Sequence, residues 1–190
     1  MSKGKLIAIE GLDGSGKATQ AKLLAGYLAT QGLAVREVSF PDYGSDSSAL
    51  VKMYLAGQFG QHPDDVNAYA ASSSNAVHQC SKLPPEQWES FLSWLFDYEF
   101  HLLGLPAPDE VIYLQVDPAV SQKLMTQRYH GDESKKDVHE KDTEYLARSR
   151  RAAEYCAAHL GWAVVHCTSG DNMRSIEDIQ AEVQKIVLKN

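Results

Sequence analysis

The 190-residue sequence is poor in everything a secreted, membrane-bound or polyanion-coating protein needs. It has three cysteines, Cys80, Cys156 and Cys167, scattered and without a Cys-x-x-Cys pair, which argues against a disulfide framework and for reduced thiols in a cytoplasmic protein. Long apolar runs are missing too. The N-terminal Met1-Ser2-Lys3-Gly4-Lys5 leads into only four apolar residues before Glu10, too short for a signal peptide or a membrane span. Basic residues are outnumbered, 18 Lys and Arg against 25 Asp and Glu, for a net charge of -7. That balance disfavours broad binding to a nucleic acid polymer or an anionic membrane, so a polyanionic ligand must meet a local concentration of cations. Internal repeats and low-complexity tracts are absent, and the length predicts one domain over residues 1–190.

What is present is concentrated in Gly11-Leu12-Asp13-Gly14-Ser15-Gly16-Lys17-Ala18-Thr19. These residues follow the apolar Leu6-Ile7-Ala8-Ile9 and precede an amphipathic stretch, so the order is strand, glycine loop, helix. Glycines let backbone N–H groups turn toward phosphate oxygens, the helix directs its positive end at them, and Lys17 adds a cation. The residue after the lysine, where a hydroxyl normally ligates magnesium, is Ala18. Thr19 carries a hydroxyl about 100° further round the helix. The metal ligand is therefore unassigned, with Asp13 or Thr19 as the candidates.

Strand-like runs at Leu6 to Ile9, Ala34 to Phe40, Val111 to Val116 and Ala163 to Cys167 alternate with helical stretches. This predicts an α/β fold of the P-loop NTPase type, a three-layer domain whose mainly parallel sheet is flanked by helices. The first helix shows Ala21, Leu23, Leu24, Tyr27 and Leu28 at helical spacing and ends at Gly32. From Pro85 to Leu103, nine large apolar or aromatic side chains between Trp88 and Leu102 predict a helix buried on most sides, with surplus apolar surface available to a second subunit. A charged segment without periodicity, Gly131 to Asp137, lies between two helices; a lid at about 128–141 competes here with a solvated turn.

Ile7 to Lys17 with Thr19-Gln20 and Leu23-Leu24 resembles the opening of thymidylate kinases. The likeness continues at Leu105-Pro106-Ala107-Pro108-Asp109-Glu110-Val111-Ile112-Tyr113-Leu114, Val116-Asp117-Pro118, His139-Glu140-Lys141-Asp142 and Tyr145-Leu146. The resemblance implies phosphoryl transfer from ATP to thymidine monophosphate, with magnesium, in a homodimer. It implies ATP binding by Gly11 to Thr19 and a catalytic role for Lys17. Asp13 would sit near the acceptor's 3′-hydroxyl. Gly14 stands where some members carry an arginine, which shifts the cationic role to Arg128 as a catalytic residue and to Lys135 and Lys136 in the lid. Ser74 to Gln79 resembles the segment after the family's Asp-Arg-Tyr motif, placing Asn75 on the thymine, His78 beside the deoxyribose and Gln79 as a further acceptor contact.

One block of the family pattern is not in the sequence. A helix and a third strand ending in Asp-Arg-Tyr should precede Ser74, yet Val66 to Ser73 runs straight into it. About thirty residues are missing by this comparison, the length of a helix and a strand together. The reading is that two segments separate in the working protein are joined near 72–74. A related nucleotide or deoxynucleoside kinase with another acceptor, and a catalytically impaired nucleotide-binding protein, are the alternatives.

Overall fold

The computed structural model describes residues 4–39, 75–128 and 142–189, together with 44, 49, 52–53, 56, 58, 130 and 132. Strand β1 (Ile7–Glu10) leads into helix α1 (Lys17–Thr30). Helices α2 (Asn75–Cys80) and α3 (Trp88–Phe96) follow, the latter preceded by a 3-10 turn at Pro85–Gln87 and continued by a π-helical stretch at Asp97–Leu102. Then come β2 (Glu110–Gln115), α4 (Pro118–Arg128), α5 (Thr143–Leu160), β3 (Ala163–His166), the short β4 (Thr168–Ser169) and β5 (Asn172–Met173), and α6 (Ile176–Lys189). They divide between two compact units. One comprises Met1–Val38, Pro108–Arg128 and Ala157–Asn190; the other comprises Ser39–Ala107 and Tyr129–Cys156.

The first unit holds a parallel sheet in the order β1-β2-β3, with Ile9 opposite Ile112 and Ile112 opposite Ala163. Its start is fixed by Asp109, whose carboxylate accepts the Leu6 N–H at 2.7 Å while its own N–H donates to Leu6 O at 2.8 Å. The middle of the central strand, Val111 to Leu114, is apolar throughout because a parallel strand with neighbours on both edges is covered on both faces. Accordingly Ile112, Tyr113 and Leu114 are buried. Leu24 and Leu28 of α1, Val120 of α4, Val165 of β3, and Ile179 and Val183 of α6 close the core around Ile112 and Leu114. Helix α4 begins where Asp117 caps it, accepting the Ala119 N–H at 2.9 Å, and Pro118 occupies the first turn, where its missing donor costs nothing.

The run predicted as a strand at Ala34 to Phe40 is a correction. Its described residues, 34–39, form no strand and are exposed. Val35 and Val38 are three apart and point to no common buried face, so β-prone composition has nothing to pack against or pair with.

In the second unit Val77 and Cys80 of α2, Trp88, Phe91, Leu92 and Leu95 of α3, and Tyr145, Leu146, Ala152, Ala153 and Cys156 of α5 are buried. Trp88 satisfies its indole N–H on Leu83 O at 3.0 Å and packs on Tyr155 with ring centroids 5.2 Å apart. The expectation of a helix buried on most sides is also corrected. Residues 88, 91, 92 and 95 form one covered stripe, while Trp94, Tyr98 and Leu102 remain exposed, Leu102 at 72%. At this point the backbone shifts to i→i−5 bonding, with Leu103 N–H donating to Tyr98 O at 2.9 Å.

Candidate functional site

The glycine loop sits between the carboxyl end of β1 and the start of α1. Its turn is closed by Ser15 N–H donating to Leu12 O at 3.1 Å. A Cβ on Gly11 would collide with Ser15 Oγ and lie 3.0 Å from Leu114 O, so the close approach of loop to β2 requires glycine. Gly14 has φ +77°, and a Cβ there would lie 3.2 Å from Ser121 O and 3.4 Å from Met125 Cγ. The loop is thus wedged against the first two turns of α4.

Helix α1 starts without a side-chain cap at Gly16 and without an acidic residue in its first turn. Its N-terminal N–H groups therefore present an uncompensated positive end, which favours an anion. Lys17 adds its ammonium on the inside of the loop, donating to Gly11 O at 2.5 Å and Leu12 O at 3.2 Å. Leu12 and Ser15 are buried, Asp13 is half-buried, and Ala18 and Thr19 are exposed. Among the described residues Ser15 Oγ has no hydrogen-bond partner, a buried hydroxyl inside the cradle.

Arg128 closes α4 and is exposed. Ser121, Met125 and Arg128 fall at i, i+4 and i+7, so Arg128 shares the helical face that meets Gly14. That face was not legible in the sequence, because the packing of Gly14 against α4 is a long-range contact. Lys135 and Lys136, most of the 128–141 segment and the Ser72–Ser74 junction lie outside the described residues.

The expected acceptor residues belong to the second unit. Asn75 opens α2. Gln79, which by sequence alone reads as an ordinary surface residue, is 3% exposed. His78 is half-buried, and its Nδ1 lies 2.9 Å from the hydroxyl of Tyr145, whose side chain is completely buried. Tyr145 was not among the expected site residues. Its signal was the Asp142-Thr143-Glu144-Tyr145 helix start, with an aromatic residue one turn inside the cap. Among the described residues no group of three or more His, Cys, Asp or Glu side chains converges as a metal site, and no helix is long and apolar enough to cross a membrane.

Comparison with known proteins places these residues in context. A family model described as thymidylate kinase matches residues 9–93. Among curated relatives, the thymidylate kinase of Mycobacterium tuberculosis is 28% identical over 187 residues, covering 83% of this chain and 87% of that protein. The thymidylate kinase of Plasmodium falciparum is 26% identical over 204 residues, covering 98% and 91%, and that of Schizosaccharomyces pombe is 26% identical over 205 residues, covering 98% and 92%. The last two alignments are longer than the chain itself, so these relatives carry residues that have no counterpart here.

Proposed function

We propose that the chain is a member of the thymidylate kinase family and transfers the terminal phosphoryl group of ATP to thymidine monophosphate, giving ADP and thymidine diphosphate. The observation that carries this reading is the phosphate loop, built on β1 and α1 with Lys17 turned into it, in a chain alignable to thymidylate kinases over nearly its whole length. Phosphoryl transfer asks the protein chiefly to position two polyanions and to stabilise charge in flight. The loop N–H groups and the α1 terminus hold the donor phosphates, and Lys17 leaves its carbonyl partners to follow the transferred charge. Arg128, on the face of α4 that meets Gly14, supplies a second cation from the edge of the charged 128–141 segment, where Lys135 and Lys136 add others. Asp13, opposed to phosphate by its own charge, serves the acceptor hydroxyl. Asn75, His78 and Gln79 receive the nucleoside.

Magnesium fits this donor set. The ion keeps several waters and takes one or two carboxylates together with substrate phosphates, so the loss of a hydroxyl at Ala18 leaves Asp13, or Thr19, with the nucleotide's own oxygens to hold it. When bound it would neutralise part of the phosphate charge. A second copy of the chain covers Trp94, Tyr98 and Leu102 in a homodimer, which their exposure supports. The three buried free thiols are in keeping with a cytoplasmic enzyme of nucleotide biosynthesis.

The relatives' extra residues and the irregular 34–39 segment support a missing helix and strand near Ser72–Ser74, since a strand without its neighbour cannot complete its ladder. Peptide mapping across Ser73–Ser74 tests this. A direct bond between them in a stable, active kinase refutes it, whereas a real deletion predicts little or no turnover. The functional test is ADP formation from ATP with each nucleoside monophosphate in turn. Turnover with thymidylate is expected; tight ATP binding without it would indicate a nucleotide-binding protein instead.

A further inference from the structure

The hydrogen bond between His78 and Tyr145 joins the helix expected to hold the acceptor to the helix that follows the charged segment. Asp142 caps α5 by accepting the Tyr145 N–H at 2.8 Å, which pins the tyrosine at the helix start. The tyrosine ring is completely buried and lies 15° from parallel to the His78 ring, centroids 6.3 Å apart. One turn further, the Arg148 guanidinium carbon stands 5.9 Å from the Tyr145 ring centroid, within cation–π range. The phenol has little freedom to turn elsewhere.

A phenol is the stronger proton donor of the pair, and a neutral imidazole nitrogen is the stronger acceptor. The Tyr145 hydroxyl therefore donates to His78 Nδ1. The imidazole proton then resides on Nε2, so any partner that Nε2 meets must be an acceptor. Were the ring to flip or change tautomer, this hydrogen bond would be lost.

We infer that Tyr145 is a positioning residue for the acceptor nucleotide: its hydroxyl locks His78 in one orientation and in the Nε2–H tautomer, and the bulk of the ring so held sets the discrimination against a sugar bearing a 2′-hydroxyl. This rests on the thymidylate reading for the role of His78, but the lock itself is a property of the second unit alone. It also ties the acceptor helix to the first turn of α5.

The test compares the full chain with Tyr145→Phe, His78→Gln and the double variant, using thymidylate and ribothymidine 5′-monophosphate as acceptors. Tyr145→Phe keeps the buried ring and removes only the hydroxyl. Its kcat with thymidylate is expected to stay within about twofold, its KM to rise about fivefold, and its preference for the deoxy substrate to fall about tenfold, the size of one lost hydrogen bond. The double variant should be no worse than His78→Gln. Independently, 15N–1H spectra of the imidazoles, with His78 assigned by its disappearance in His78→Gln, should show the Nε2–H tautomer in the unmodified chain and a mixture in Tyr145→Phe. Unchanged KM and preference in Tyr145→Phe, or additive losses in the double variant, overturn the positioning role; an Nδ1–H tautomer in the unmodified chain overturns the lock. A chain that does not phosphorylate thymidylate overturns the acceptor reading, and the spectra still decide the lock.

Discussion

Replacing Gly11 by alanine sets a methyl group where Ser15 Oγ already stands, 3.0 Å from Leu114 O and 3.1 Å from Ser15 Cβ. Leu114 is the buried middle of the sheet and its carbonyl cannot withdraw, so the loop must move away from β2. Overpacking of this kind costs about 1–3 kcal/mol, equivalent to about 2–12 °C in Tm at this chain length. The displaced loop also loses its aim at phosphate, and ATP affinity should fall by at least about tenfold. Ser15 supplies the control. Its Oγ is buried without a partner among the described residues, so Ser15→Ala removes an unsatisfied hydroxyl and should leave the nucleotide-free protein as stable as before or slightly more so. In the double variant the collision with Oγ is gone while Leu114 O and Cβ remain, so stability should recover in part. Urea unfolding of the nucleotide-free proteins measures the cycle, and calorimetric titration with ATP measures the loop. A Gly11→Ala protein with the stability and ATP affinity of the original, or a Ser15→Ala substitution that recovers nothing, would refute the packing argument.

Lys17→Met removes the ammonium proposed to follow the transferred charge; ADP formation should fall about 10²–10³-fold while the far-ultraviolet spectrum is unchanged, and a loss under threefold would show that the lysine is not engaged. Trp94→Glu places a charge on the exposed aromatic face, stacked on Tyr98 at 5.6 Å between centroids, and should convert the proposed dimer to a monomer in sedimentation at micromolar concentration; an identical sedimentation coefficient would show that this face carries no subunit contact. Cys167 has its thiol pushed up to about 11 from 9.0, chiefly by burial, with Arg174 acting in the opposite direction. Because the folded state then holds a proton that the unfolded state has released, stability should decline as pH rises from about 9 to 11, by at most about 2 kcal/mol. Cys167→Ala should flatten that decline, and equal slopes in the two proteins would exclude the thiol as its source.

Much of the loop was legible in the sequence because its chemistry is local. Gly11, Gly14, Gly16 and Lys17 are consecutive enough that strand, turn and helix fix their mutual placement within a few bonds. The strand expected from Ala34 was not legible as an error, because a strand exists only when another backbone completes its ladder, and composition does not report the neighbour. The aromatic helix misled in the same way. Counting apolar residues gave the total but not the division into a covered stripe at 88, 91, 92 and 95 and an open face at 94, 98 and 102.

The sequence by itself determined the strand, glycine turn and helix start of the loop, because a nest of backbone N–H groups ahead of a helix is a short-range object. Only the tertiary structure decided that Gly14 abuts α4, which aligns Arg128 with the loop, and that Tyr145, 67 residues from His78, supplies the hydroxyl that orients it. Those pairings are set by which buried faces meet, and packing is a property of the whole core rather than of any segment within it.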